Sequence, residues 1–167
     1  MRRRHKLRIL DNWANLSTPA GLLLARGAAQ PPRRSRCGLW LAHGYRLPVP
    51  RARAFTVGSV VLLHAQLPGP GVDPVGSVPR RLLDHEDRHV TQYAWCGGVL
   101  MPLVYGVAAG WSWLRTGDVA SRNVFEQRAG LADGGYREQP LRAVWGPLGL
   151  DRDARAGAER RPTHPIS

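Results

Sequence analysis

The feature that most constrains this chain is an H-E-x-x-H motif, in which His85 and His89 flank Glu86. On an α-helix, two histidines at this spacing lie on one face, about 40° apart around the helix axis. Their imidazole nitrogens can therefore share one metal ion, and the glutamate between them lies beside the position of a metal-activated water. The motif predicts both a helix and a metal-binding face on that helix.

A third candidate ligand, Glu126, follows in the segment N-V-F-E-Q-R-A. Ala129 and Gly130 come three and four positions later, so they share its helical face and would let two helices approach closely. Three protein ligands with one open position are typical of catalytic zinc sites, and we expect one Zn2+ ion per chain. For direct ligation by His85, His89 and Glu126, the ligand atoms should lie roughly 3–4 Å apart.

The pattern H-E-x-x-H-x-x-Q, which ends at Gln92, and the later pair Glu126 and Ala129 resemble zincin-like metallopeptidases of the gluzincin type. More closely, they resemble small uncharacterised bacterial proteins that have an H-E-x-x-H-x-x-Q helix. The resemblance covers about residues 53–136. It implies one general base, Glu86, and three zinc ligands, His85, His89 and Glu126.

One position departs from the family pattern. In gluzincins, the third-ligand helix often has an Asp four residues after the Glu, which orients a ligand histidine, whereas Gly130 stands here. Asp133, one turn later, or Asn123, one turn earlier, could take that role. The candidate donors to the oxyanion of a peptidase transition state are Tyr136, His43, Tyr105 and Tyr93.

The function that these residues predict is a zinc-dependent hydrolase, and a peptidase before other classes. A chain of this type can also keep the metal site without the activity, and the sequence leaves both alternatives open. In zincins, the strand before the motif helix often pairs with an extended substrate. The apolar segment 55–64 is the candidate for that strand, although an ordinary core strand would have the same composition.

Apolar periodicity predicts an α+β fold, in which a small antiparallel sheet of two or three strands packs against a three-helix unit bearing the motif. The strands are predicted at 38–47 and 55–64, as antiparallel partners. The helices are predicted at 77–95, 99–114 and 119–133, and the last should end at the Gly134-Gly135 pair. A shorter helix is predicted at 19–26, with Thr18 as its N-cap.

The composition along the sequence predicts three regions. Residues 1–37 should form a basic N-terminal arm with a short helix and a linker, and residues 38–145 the zincin-like domain. Residues 146–167 are charged and poor in large apolar side chains, so we expect a disordered tail. The basic start lacks the apolar core of a signal peptide, which predicts a cytoplasmic protein.

An apolar segment supports a membrane-embedded or membrane-associated protein as the alternative. No charged residue occurs between Val90 and Leu114, a length that could span a bilayer, and Trp111 and Trp113 could mark an interface. A spanning helix would place Glu126 on the far side, roughly 25–30 Å from the motif. The three-ligand site therefore requires a buried or interfacial hairpin instead.

The net charge of +12 supports a second alternative, a basic nucleic-acid-binding protein. Only Lys6 among the 24 basic residues is lysine, and no known nucleic-acid-binding module is visible. We therefore expect no specific nucleic-acid partner. The predicted partners are a peptide or protein substrate and, peripherally, an anionic membrane.

Overall fold

A computed structural model describes residues 3–35, 38–46, 52–65 and 78–142. Over these ranges the chain forms an α+β fold with a four-stranded sheet and five α-helices, so the predicted fold class is confirmed. The predicted tail, 146–167, lies outside the described residues.

The helices are α1 (Arg3–Ala14), α2 (Ser17–Ala25), α3 (Arg80–Trp95), α4 (Met101–Thr116) and α5 (Val124–Ala129). The strands are β1 (Arg33–Arg34), β2 (Trp40–Tyr45), β3 (Ala54–Val57) and β4 (Val60–His64). A short 3-10 helix, Gly98–Leu100, joins α3 to α4.

The sheet is mixed, with the strand order β1-β2-β4-β3. The predicted single strand 55–64 is a hairpin that turns at Gly58, where φ is +61° and an added Cβ would lie 2.4 Å from the Thr18 nitrogen. Because the hairpin reverses the chain, β4 runs parallel to β2, and the predicted antiparallel pairing of these two segments is wrong. The hairpin also leaves β3 at the edge of the sheet formed by the described strands.

Both faces of the central strands are covered, which explains the continuous apolar sequence of β4. On one face, Val61 and Leu63 pack with Leu82 and Val90 of α3. On the other face, the buried side chains of β2 and β4 pack with Ala25 of α2. The sheet therefore holds the motif helix on one side and α2 on the other.

The N-terminal arm is a helix that is anchored to the motif helix. The buried Arg8 guanidinium binds the carboxylate of Asp87 and donates to Thr91 Oγ1 at 2.8 Å. Asn12 donates through Nδ2 to the Val90 carbonyl at 3.0 Å. Asp87, at one of the two variable positions of the H-E-x-x-H motif, thus has a structural partner in α1.

Two helix ends differ from those predicted. Thr18 is not the N-cap of α2, because the helix begins at Ser17 and the Thr18 hydroxyl instead accepts a hydrogen bond from the Ser59 nitrogen at 3.1 Å. The predicted helix 119–133 is shorter and ends at Ala129. Gly130, with φ +88°, caps α5 before the Gly134-Gly135 pair is reached.

The apolar segment is broken between α3 and α4, where Gly97 and Gly98 both have φ +69°. Within the described ranges, no single helix combines the length and the apolar character needed to cross a bilayer. The segments Arg80–Trp95 and Gly98–Thr116 meet both criteria only as a pair, and a bend of 111° separates them.

The Arg8 anchor should contribute measurably to stability. We expect Arg8→Ala to lower the free energy of unfolding by about 2–4 kcal/mol, because it leaves the Asp87 carboxylate without its cation. Chemical denaturation measures the loss. The exposed Lys6 in the same helix is the control, and Lys6→Ala should change stability by less than about 0.5 kcal/mol. Equal effects of the two substitutions would contradict the anchor.

Candidate metal centre

The predicted ligands come together in one buried cluster. His85 and His89 lie on the same face of α3, and their Nε2 atoms are 3.1 Å apart. Glu126 of α5 places Oε2 at 3.2 Å from His85 Nε2 and Oε1 at 3.5 Å from His89 Nε2. These separations fall in the range expected for ligands of a single ion, and the three residues form a group that could hold a metal.

The other ring nitrogen of each histidine has a defined acceptor. His85 Nδ1 donates to the carbonyls of Ala129 and Gly130, at 3.0 and 3.1 Å. His89 Nδ1 lies 2.7 Å from Gln92 Oε1, and the Gln92 amide nitrogen donates to the Phe125 carbonyl. Because both protons are held at Nδ1, each neutral ring presents the lone pair of Nε2 to the centre of the cluster.

The charges in the cluster favour a cation between these groups. Burial would raise the pKa of the Glu126 carboxyl, but the two imidazoles and the Tyr105 hydroxyl lower it to about 2. Burial would likewise lower the pKa of His85, but the neighbouring carboxylates of Glu126 and Glu86 raise it. Two facing lone pairs and an ionised carboxylate therefore bind either a proton or a metal ion.

Glu126 Oε2 is an atom that a metal ion could satisfy. Tyr105 donates its hydroxyl to Oε1 at 2.6 Å. Oε2 is buried, and its near polar neighbour is His85 Nε2 at 3.2 Å, which donates to it only when that imidazole is protonated at Nε2. A buried carboxylate oxygen without a donor is costly, and a metal ion would satisfy it.

Glu86 lies beside the cluster without joining it. Its carboxylate is buried and accepts a hydrogen bond from Thr56 Oγ1 of β3 at 2.7 Å. Burial raises the pKa of Glu86, which brings its basicity closer to that required to exchange protons near neutral pH. Glu86 is therefore not one of the three residues that form the candidate ligand group.

A cavity of about 310 Å³ opens onto these groups. The edge strand β3 forms one wall, α3 and the start of α4 form others, and Glu126 of α5 completes the lining. Apolar and aromatic side chains surround the polar groups. The aromatic and large apolar members are Phe55, Val57, Tyr93, Met101, Pro102, Tyr105 and Tyr136.

The residues predicted to support the ligands have different positions. Asn123 caps α5, because its Oδ1 accepts from the Phe125 nitrogen at 3.0 Å, and it thereby positions the helix of Glu126. Asp133 pairs with Arg88 at 3.0 Å and not with a histidine. Tyr136 lines the cavity, 6.3 Å between ring centroids from His85. His43, a candidate oxyanion donor, is buried in β2 and is not among the residues that line the cavity.

Arg88 has a role at the site that the motif did not reveal. Its Nη1 donates to the Ala129 carbonyl at 2.5 Å and also contacts Asp133. The same carbonyl accepts from His85 Nδ1. Arg88 therefore holds the end of α5 against the ligand helix. This contact could be predicted only if the position of α5 relative to α3 were already known.

Gly134 contacts the ligand histidine closely. A Cβ atom at this position would lie 2.6 Å from His85 Cε1 and 2.7 Å from Nε2. We expect Gly134→Ala to displace the imidazole and weaken metal binding by about 10–100-fold, the effect typical of a disturbed supporting shell. Titration with a chromogenic zinc chelator measures the affinity.

Gly110 of α4 supplies a matched control, because an added Cβ there meets nothing within 4 Å. Gly110→Ala should leave the zinc affinity unchanged. An unchanged affinity in the Gly134 variant would mean that His85 is not held in this position when zinc binds.

Comparison of the chain with protein-family models, with curated proteins and with solved structures gives no match.

Proposed function

We propose that the chain is a zinc-dependent peptidase with His85, His89 and Glu126 as ligands. The observation that carries the proposal is the convergence of these three side chains at 3.1–3.5 Å in one cavity with a separate, buried carboxylate. Two imidazoles and one carboxylate, with space left for a fourth ligand, are a common catalytic zinc set.

Glu86 is the proposed general base. Zinc held by the three ligands would lower the pKa of a bound water molecule from about 15.7 toward 7. Glu86 would accept a proton from the attacking water while the water oxygen bonds to the peptide carbonyl carbon. Glu86 would then return this proton to the peptide nitrogen as the carbon–nitrogen bond breaks. Thr56 orients the carboxylate for both transfers through its 2.7 Å hydrogen bond.

The proposed substrate is an extended peptide, because an edge strand borders the site. Among the described strands, β3 pairs only with β4, and its residues from Ala54 to Val57 line the cavity. The backbone groups along the outer edge of such a strand can bind a peptide by β-strand addition. This arrangement would carry a peptide bond past Glu86, since Thr56 of β3 contacts that carboxylate.

Tyr136 is the proposed donor to the developing oxyanion. Tyr105 already donates to Glu126, whereas Tyr136 lies against the His85 side of the cavity. Burial and the charges of Glu126 and Glu86 raise the pKa of Tyr136, so the hydroxyl keeps its proton and can donate it.

Metal removal tests the proposal. The zinc-loaded protein is incubated with a proteome-derived peptide library, and new termini are identified by mass spectrometry. We expect cleavage that stops when a chelator removes the metal and returns when zinc is restored. Cleavage that persists in the metal-free protein, or no cleavage by the zinc-loaded protein, would contradict a zinc peptidase.

A further inference from the structure

Helix α4 has an exposed apolar surface in the part of the chain that the structure describes. Only Met101 and Ser112 of its residues are buried. No exposed position from 102 to 114 is polar; these positions are Pro102, Leu103, Val104, Gly106, Val107, Gly110, Trp111, Trp113 and Leu114. A surface helix of a globular protein normally has polar residues on its outer face.

The exposed apolar positions form a broad surface instead of a narrow stripe. At 100° per residue they cover roughly 200° of the helix circumference. A packed partner helix needs a stripe only about 100° wide. The acyl chains of a bilayer are fluid and can cover the whole apolar surface. The width of this surface therefore favours lipid over a second copy of the chain as its partner.

Exposed tryptophans flank this surface along the chain, and two arginines lie beside those at its C-terminal end. Trp95 is strongly exposed at the end of α3, just before the bend into α4. At the other end, Arg115 lies 5.8 Å from the Trp111 ring and Arg142 lies 5.1 Å from the Trp113 ring. Tryptophan and arginine together are typical of the boundary between acyl chains and lipid headgroups.

We infer that the exposed face of α4 binds the surface of an anionic lipid bilayer. The apolar side chains would enter the acyl region, and the net charge of +12 would attract acidic headgroups. The helix has 16 residues, or about 24 Å, which fits a helix that lies in the interface.

This inference does not depend on the proposed peptidase activity, but the two are adjacent in the structure. Met101, Pro102 and Tyr105 of α4 also line the metal-site cavity. If the proposed function holds, the site would act on peptide segments close to the membrane surface.

Vesicle binding by the 167-residue chain tests the inference. The probes are vesicles of phosphatidylcholine alone and of phosphatidylcholine with an equal amount of phosphatidylserine. We expect binding to the acidic vesicles, much weaker binding to the neutral ones, and a loss of binding to the acidic vesicles at high salt. The double variant Leu103→Gln/Val107→Gln should bind the acidic vesicles about 100-fold more weakly, because each side chain contributes about tenfold.

The matched control is Leu23→Gln/Leu24→Gln, on α2. These leucines are 62% and 44% exposed, compared with 67% and 75% for Leu103 and Val107. The control should retain binding within about threefold. Circular dichroism confirms that both variants are folded.

A fluorescence measurement on the otherwise unaltered chain is independent of these variants. Brominated phosphatidylcholine in the acidic vesicles should quench the tryptophan emission, and Trp111→Phe/Trp113→Phe should remove most of the quenching. An absence of vesicle binding would overturn the inference. An equal loss of vesicle affinity in the α4 double variant and the α2 double variant would also overturn it. A lipid-free dimer that only Leu103→Gln/Val107→Gln dissociates would also overturn it and assign this face to a second copy.

Discussion

The purified protein should bind one zinc ion per chain, and His85→Ala or His89→Ala should reduce this to none at micromolar zinc. The two imidazoles supply facing Nε2 lone pairs, and each is fixed by an acceptor at Nδ1. Removing one imidazole leaves only two protein ligands, too few for a stable site of this type. Inductively coupled plasma mass spectrometry of the dialysed protein measures the stoichiometry.

His64 is the matched control for these substitutions, because it lies on β4 and is not part of the ligand cluster. His64→Ala should keep one zinc per chain. Retention of zinc in both motif variants would disprove the site. Loss of zinc in all three variants would point to unfolding instead, and a comparison of their melting curves distinguishes that outcome.

Glu86→Gln should retain the zinc ion but lose peptide hydrolysis by about 10²–10⁴-fold. The amide is nearly the same size as the carboxylate and can keep the Thr56 hydrogen bond, so the cluster geometry should persist. It cannot accept a proton at neutral pH, and general-base catalysis contributes about this factor. Paired measurements of bound zinc and of kcat/KM on one cleaved peptide report the two effects separately.

Glu138→Gln is the control for this second prediction. Glu138 is exposed, pairs with Arg122, and lies outside the cavity lining, so both zinc content and activity should be unchanged. Loss of zinc in the Glu86 variant would identify Glu86 as a ligand or a structural support. Full activity with zinc retained would mean that another group takes the proton.

Asp87 and Arg88 illustrate why local patterns describe this site incompletely. As neighbours in the sequence they indicate only a charged, solvated edge of the motif helix. In the folded chain, Asp87 binds the buried Arg8 of α1, and Arg88 holds the Ala129 carbonyl at the end of α5. Both partners are distant in sequence, and no periodicity of α3 predicts them.

The strand order also could not be predicted from the sequence. The segment 55–64 has the apolar composition of one buried strand, and Gly58 is the only local sign of a turn. The hairpin requires the close approach of Gly58 to α2, where any side chain would contact the Thr18 nitrogen. That tertiary contact makes β3 an edge strand beside the site and makes β4 the parallel partner of β2.

The sequence by itself determined the motif helix and the chemistry of its polar face, because the spacing of His85 and His89 repeats with the helical turn. It also determined the α+β class and the break of the apolar segment at Gly97-Gly98. Only the tertiary structure decided that Glu126 returns to the two histidines, since this depends on the 111° bend and on the packing of α5. Local spacing reports which residues share a face, whereas long-range packing sets which faces meet.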